Sequence, residues 1–190
     1  MKTYFHIQSP CFGRILLLGL CLFLSGFWTP IQAQPIQAPR FRLSNLEGTP
    51  FYSTKAKGQV IVVSFFFTRC PPCIKEMPEL YQFMQRKGLL RNLLFVDSYV
   101  EGLGIQDAPD TEKDIRLFVQ TLGIPEANTY HDRMGAMTKN FANLELFPQA
   151  KKSETLLVFP TIVIIDRQGQ VAYVQEGSDT KIFEILERLL

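Results

Sequence analysis

From Val60 to Phe67 the chain runs through eight residues of which Ser64 alone is polar, and it then passes straight into Thr68-Arg69-Cys70-Pro71-Pro72-Cys73. An unbroken run of β-branched and aromatic residues is the pattern of a strand covered on both faces, here over Gln59–Phe67. The residues that follow change period. Met77, Leu80, Tyr81 and Met84 recur at helical spacing, Gly88 stops the pattern, and Pro78 is expected to kink the helix. A buried strand that turns into a helix through two cysteines leaves few folds open, because both thiols stand where the first turn has unpaired N–H groups.

That position has chemical consequences. Two thiols three residues apart can close a small disulfide ring, and the N–H groups and dipole at a helix N-terminus favour thiolate over thiol. As a staple the pair would achieve little, since a four-residue ring stabilises by less than the roughly 3 kcal/mol of a fifteen-residue loop. Two thiolates can also hold a soft metal, which keeps a metal reading beside the redox one. The two remaining cysteines, Cys11 and Cys21, lie in an N-terminal segment of different character.

In that segment Lys2 and Arg14 precede an apolar run from Ile15 to Trp28, and Ile31-Gln32-Ala33 offers a cleavage point before Gln34. Residues 1–33 are therefore expected to be a signal peptide, or, uncleaved, a membrane anchor through residues 15–31. Either way the chain is exported, to the periplasm or the outer face of the inner membrane. Removing the segment takes Lys2 and Arg14 with it, so 18 basic residues face 18 acidic ones. The neutral remainder gives no footing for nucleic acid or an anionic membrane surface.

Residues 34–38, polar and proline-bearing, read as a linker. Phe41 and Leu43 alternate, Asn45–Pro50 turns the chain, and Phe51-Tyr52 begins a return strand. Asn92–Ser98 is the next buried strand, and Gly102–Asp110 a loop. Thr111 or Asp110 caps a helix to Leu122 with Ile115, Phe118 and Val119 inward, closed by Gly123. From Ile124 to Glu154 the pattern weakens, with a helix expected within Met134–Leu146 on Met137, Phe141 and Leu144, then an exposed loop over Phe147–Glu154. Leu156–Asp166 is a strand interrupted by Pro160, Arg167–Gln170 a turn, and Val171–Val174 its antiparallel partner. Ser178 or Asp179 caps a last amphipathic helix carrying Ile182, Phe183, Ile185, Leu186 and Leu189.

The segment Phe67-Thr68-Arg69-Cys70-Pro71-Pro72-Cys73-Ile74-Lys75-Glu76-Met77-Pro78 resembles the active-site segment of thioredoxin-fold proteins, most closely the TlpA/ResA-like periplasmic thiol-disulfide oxidoreductases. Pro72, Glu76 and Pro78 match that family's pattern, and Arg69 departs from it where tryptophan is usual. The resemblance implies an α/β thioredoxin fold over residues 39–190, with an N-terminal β-hairpin extension, a βα insertion and a mixed central sheet flanked by helices. It implies an enzyme that exchanges disulfides with client proteins bearing cysteine pairs, fed by a membrane thiol electron donor, with apocytochrome c and copper-site cysteines as candidate clients in cytochrome c maturation and related work. No cofactor and no metal is called for.

Cys70 is then the attacking thiol, placed before the helix and expected to be the more exposed, and Cys73 the resolving one. Pro71 and Pro72 lack N–H donors, which leaves the Cys70 thiolate less stabilised and leans the couple toward a reductant. Arg69 opposes this unless it swings into solvent. Glu76, one turn past Cys73, raises the sulfur pKa values by like-charge repulsion and shuttles a proton, or else simply serves the helix dipole. Phe159-Pro160-Thr161 resembles the cis-proline loop that faces the cysteine pair in this superfamily, where a substrate strand pairs with the backbone. The rival is a Sco-like copper chaperone using Cys70, Cys73 and His131, although that family spaces its cysteines by three residues. A peroxidase of the peroxiredoxin type lacks its Pro-x-x-x-Thr/Ser-x-x-Cys pocket.

Overall fold

The computed structural model describes residues 35–98, 110–144, 146 and 158–190. The leader at 1–33 with its cleavage point and anchor, and the loops at 102–109 and 147–154, lie outside the described residues. Among the described residues no helix is long and apolar enough to cross a membrane.

Among the described residues seven strands and four α-helices follow one another. A hairpin of β1 (Arg42–Ser44) and β2 (Pro50–Tyr52) precedes β3 (Ile61–Phe66), α1 (Pro71–Arg86), β4 (Leu93–Ser98), α2 (Glu112–Thr121), β5 (Thr129–Asp132), α3 (Ala136–Ala142), β6 (Thr161–Ile165), β7 (Val171–Glu176) and α4 (Lys181–Leu189). The five longer-range strands form one sheet in the order β5-β4-β3-β6-β7. β3, β4 and β5 are parallel, and β6 and β7 run antiparallel to their neighbours. This is the expected α/β thioredoxin fold with its hairpin extension.

The apolar runs of β3 and β4 are central because both their faces are covered. Val62, Phe66, Leu93 and Phe95 look toward α1, α2 and α4, which contribute Met77, Leu80, Met84, Ile115, Val119, Ile182 and Leu186. Ile61, Val63, Phe65, Leu94 and Val96 look the other way, toward Met137 and Phe141 of α3 and Phe41, Leu43 and Phe51 of the hairpin. Helical spacing thus places one stripe of α1 in the core. Pro78 lies within α1, which continues past it to Arg86. Gly88 (φ +70°) takes the left-handed conformation that lets the Leu89 N–H reach Met84 O at 3.0 Å, and Gly123 (φ +68°) does the same for Ile124 and Val119 at 2.9 Å.

Two readings left open are decided, and the cap of the last helix is corrected. A short parallel strand, β5, occupies the stretch where the pattern weakened, and it pairs Phe95–Ser98 with Thr129–Asp132. At α2 the cap is Thr111, which forms a capping box with Asp114, while Asp110 is buried and turned elsewhere. At α4 the N-cap is Thr180 with no side-chain bond, although Asp179 Oδ1 accepts from the Lys181 N–H at 3.0 Å. Residues 36–38, read as linker, lie beside the β6–β7 turn, with Ala38 N–H donating to Gly169 O and Ile36 O accepting from Val171.

Candidate active site

β3 ends and α1 begins within four residues, so Cys70 is the N-cap of α1 and Cys73 sits in its first turn. They are joined by a disulfide, their Cα atoms 5.3 Å apart. Cys70 O accepts from the N–H groups of Cys73 (3.1 Å) and Ile74 (3.3 Å), and the Cys73 N–H also reaches Cys70 Sγ at 3.3 Å. Pro71 and Pro72 supply no donor, as expected. The expected contrast in exposure is absent: Cys70 is 1% exposed and Cys73 0%. An N-cap position does not open Cys70 to solvent, because Cys70 is part of the buried cluster that includes Phe67, Cys73 and Met77. Ile74 beside the pair is by contrast half exposed.

Phe159-Pro160 is a cis peptide, and the loop that contains it lies against the cysteine loop. The Phe159 ring meets Phe67 edge-on at 5.2 Å between centroids, and Phe67 O accepts from the Cys70 N–H. Thr161 opens β6 opposite Phe65, and its hydroxyl donates to Val158 O. Phe159, Pro160 and Thr161 are thereby brought to the same side as the disulfide.

Glu76 is 4% exposed, a carboxyl inside the protein rather than a surface partner of the helix dipole. Gln175 Nε2 on β7 lies 3.4 Å from its Oε2, and the Ser178 hydroxyl and Asp179 N–H also bond to it. Burial raises its pKa above the ordinary value, the Ser178 and Asp179 bonds oppose that, and the charges of Glu79 and Asp179 add to it.

Beneath the loop stands a group of buried acids that no motif announced. Asp110 accepts from Thr68 twice, from the N–H at 2.8 Å and from the hydroxyl at 2.6 Å, and its Oδ1 lies 3.8 Å from Arg69 Nη2. Asp97, at the end of β4, is 2% exposed. Burial, with the charge and hydrogen bond of Asp110 and the charge of Asp132, pushes its pKa up to about 9. Asp132 accepts from the Thr138 N–H and hydroxyl. An acid closing an otherwise apolar parallel strand, at the end where the cysteines leave β3, was the available signal. Thr68, Arg69, Asp110, Asp114, Leu117 and Phe118 border an open groove of about 540 Å³ next to this loop.

A family model described as Redoxin matches residues 34–190. The chain belongs to the redoxin family. Within that family it is similar to thiol-disulfide oxidoreductase ResA of Bacillus thuringiensis subsp. konkukian, 30% identical over 191 residues that take in 94% of this chain and 93% of the relative. ResA of Geobacillus thermodenitrificans is 42% identical over 149 residues, 76% of this chain and 70% of the relative. A thiol:disulfide interchange protein of the thioredoxin family from Chlorobium tepidum shares the fold, with a TM-score of 0.64, 23% identity, and coverage of 83% of this chain and 98% of that one. This redoxin is accordingly a TlpA/ResA-like thiol-disulfide oxidoreductase of the thioredoxin superfamily.

The copper-chaperone alternative loses its ligand set. Among the described residues no three His, Cys, Asp or Glu side chains are grouped to hold a metal ion. His131 lies instead beside Asp97, its Nε2 3.7 Å from Asp97 Oδ2, and burial lowers its pKa. A SCO1/SenC family lipoprotein from Bacillus anthracis shares the fold (TM-score 0.54, 21% identity, 83% of this chain and 98% of that one).

Proposed function

We propose that the protein works outside the cytoplasm as a dithiol reductant of client-protein disulfides, with Cys70 attacking and Cys73 resolving. The Cys70 thiolate attacks one sulfur of the client disulfide, forming a Cys70–client bond and expelling a client thiolate that takes up a proton. Cys73 loses its proton and attacks Cys70 Sγ, closing the internal disulfide and releasing the second client thiol. Two electrons pass to the client, and a membrane thiol donor restores the dithiol. Clients with exposed cysteine pairs, apocytochrome c and copper-site cysteines among them, suit this chemistry, and a client strand lies along the Phe159–Thr161 backbone. Residues 15–31 hold the enzyme at the membrane or guide its export.

The observation that carries this reading is the placement of a closed Cys70–Cys73 ring at a helix N-terminus whose two intervening residues are prolines. One sulfur-directed N–H is a modest anchor for a thiolate, which keeps the dithiol from being strongly favoured over the disulfide. The test is the potential of the couple by glutathione equilibration, in a chain with Cys11→Ser and Cys21→Ser so that Cys70 and Cys73 are its only thiols. A value near the roughly −270 mV of thioredoxin supports a reductant, and one near the roughly −120 mV of strong oxidants refutes it.

A further inference from the structure

Asp110 belongs to the stretch leading into α2, yet its side chain is spent on the cysteine loop. It is 9% exposed, binds both polar hydrogens of Thr68, and faces the Arg69 guanidinium. Arg69 is half exposed and also acts on the charge of Asp114 in the first turn of α2. The cation next in sequence to Cys70 therefore leans toward two carboxylates of the insertion. A cation at a cysteine sulfur would stabilise the thiolate, so Asp110 and Cys70 compete for one guanidinium.

We propose that Asp110 is a positioning residue for Cys70: it fixes the Thr68–Arg69 turn and holds the Arg69 guanidinium on the α2 side, keeping Cys70 a weak enough acid for a reductant. The proposal rests on the dithiol reading above and adds the residue that tunes it. Asp110 can do this because of where its carboxyl oxygens lie, Oδ2 on the Thr68 N–H and Oδ1 between the Thr68 hydroxyl and the Arg69 guanidinium. Its neighbours are the Thr68 donors, Arg69, and the Asp97 carboxyl, which bonds to it from β4. Asp97 in turn has Asp132 and His131 on β5 beside it. A protonated Asp97 gives Asp110 a further donor.

Asp110→Asn keeps one acceptor oxygen for the Thr68 N–H, and its NH2 can donate to the Thr68 hydroxyl oxygen in place of the bond it accepts now, while the carboxylate that faces Arg69 is gone. The experiment uses the chain with Cys11→Ser and Cys21→Ser, and reads the pH dependence of Cys70 alkylation by iodoacetamide together with the glutathione equilibrium. Asp110→Asn should raise the Cys70 thiolate fraction at pH 7 about threefold, the scale of a partly exposed ion pair, and favour the dithiol accordingly. Adding Arg69→Gln should abolish that change, and Arg69→Gln alone should move Cys70 by less than about twofold. No change in Asp110→Asn overturns the proposal. A change of the same size in the double variant also overturns it, because the carboxylate would then act on the sulfur without Arg69. If Asp110→Asn does not fold, by near-ultraviolet circular dichroism, Arg69→Gln alone decides: a large fall in Cys70 acidity means the guanidinium already serves the sulfur. Failure of the dithiol reading shows separately, as an unaltered chain that does not equilibrate with glutathione, while alkylation still reports on Asp110.

Discussion

Asp97 on β4 and His131 on β5 stand opposite each other in the parallel ladder, with Asp97 Oδ2 3.7 Å from His131 Nε2. The contact has the composition of an ion pair but not the charges. Burial holds Asp97 protonated up to about pH 9 and lowers the pKa of His131, so at neutral pH two uncharged groups meet. Asp97 Oδ1 and His131 Nδ1 are buried without a hydrogen-bond partner among the described residues. Such a site is maintained against its own cost, which is why it belongs with the active-site loop it touches through Asp110.

The stability of the oxidised protein should register Asp97 directly. Its carboxyl titrates near 3.8 when unfolded and about 9 when folded, so its contribution is fully present below 3.8 and is lost as pH rises to about 9. From about pH 7.5 to 8.5 His131 is almost wholly neutral in both states and the folded Asp97 is still mostly protonated, so the slope from Asp97 is about 1 kcal/mol per pH unit or a little more. Asp97→Asn should flatten that slope in urea titrations and be the more stable protein at pH 8.5. Parallel pH profiles for the two proteins would sink the assignment.

The parts of this fold that were legible are those where one local signal and the tertiary context agree. Val60–Phe67, Ser64 aside, and Leu93–Val96 are apolar because both faces of a central strand are covered, and the Met77–Met84 stripe is helical because α1 has one buried side. Thr129-Tyr130-His131-Asp132 carries no such pattern. Thr129 and Tyr130 are buried only because the hairpin and α3 come back over the sheet edge, and no window of four residues can show that. The choice between Thr111 and Asp110 as cap stayed open for a related reason: local chemistry allows either, and Thr68, 42 residues away, decides by taking Asp110. The cysteines and the cis-proline loop were readable from motif, whereas the burial of Cys70 and the acids beneath it arise from packing between distant segments.

Phe159→Ala removes the ring that rests edge-on against Phe67 and so loosens the loop beside the disulfide. The stability loss should be about 2 kcal/mol, combining a partly buried side chain with an aromatic pair. If the Phe159 backbone receives a client strand, KM for a protein disulfide should rise roughly fivefold, while the rate with a small disulfide changes by less than roughly twofold. Equal losses with both substrates would mean that the ring supports the dithiol itself and not client binding.

The roles of the two cysteines are separable by trapping. Cys73→Ser leaves Cys70 able to attack but nothing to resolve the product, so incubation with a disulfide-bearing protein should accumulate a mixed disulfide visible on non-reducing gels. Cys70→Ser should trap little, because the helix N–H of Cys73 is aimed at the sulfur of Cys70 at the N-cap, which favours the Cys70 thiolate, and among the described residues no such donor is aimed at the sulfur of Cys73 inside the first turn. Accumulation in Cys70→Ser and not in Cys73→Ser would invert the assignment.

Glu76, proposed to take the Cys73 proton during resolution, can be tested through its titration. It lies three residues on, on the same buried face of α1, and desolvation raises its pKa above the ordinary carboxylate value. A raised pKa means that its stability contribution is complete below 4.5 and is lost as pH rises through the folded value. Glu76→Gln keeps an acceptor for Gln175 and removes the ionisation, so the variant should be as stable as the parent at pH 7 or more so. Its resolving step should nevertheless slow about 10- to 100-fold, the range of a proton-transfer group, and the acid limb of its pH–rate profile should disappear. Stopped-flow exchange from pH 5 to 9 makes the measurement. A profile unchanged in shape, on a folded variant, would reduce Glu76 to a buried partner of Gln175 and leave the Cys73 proton to solvent.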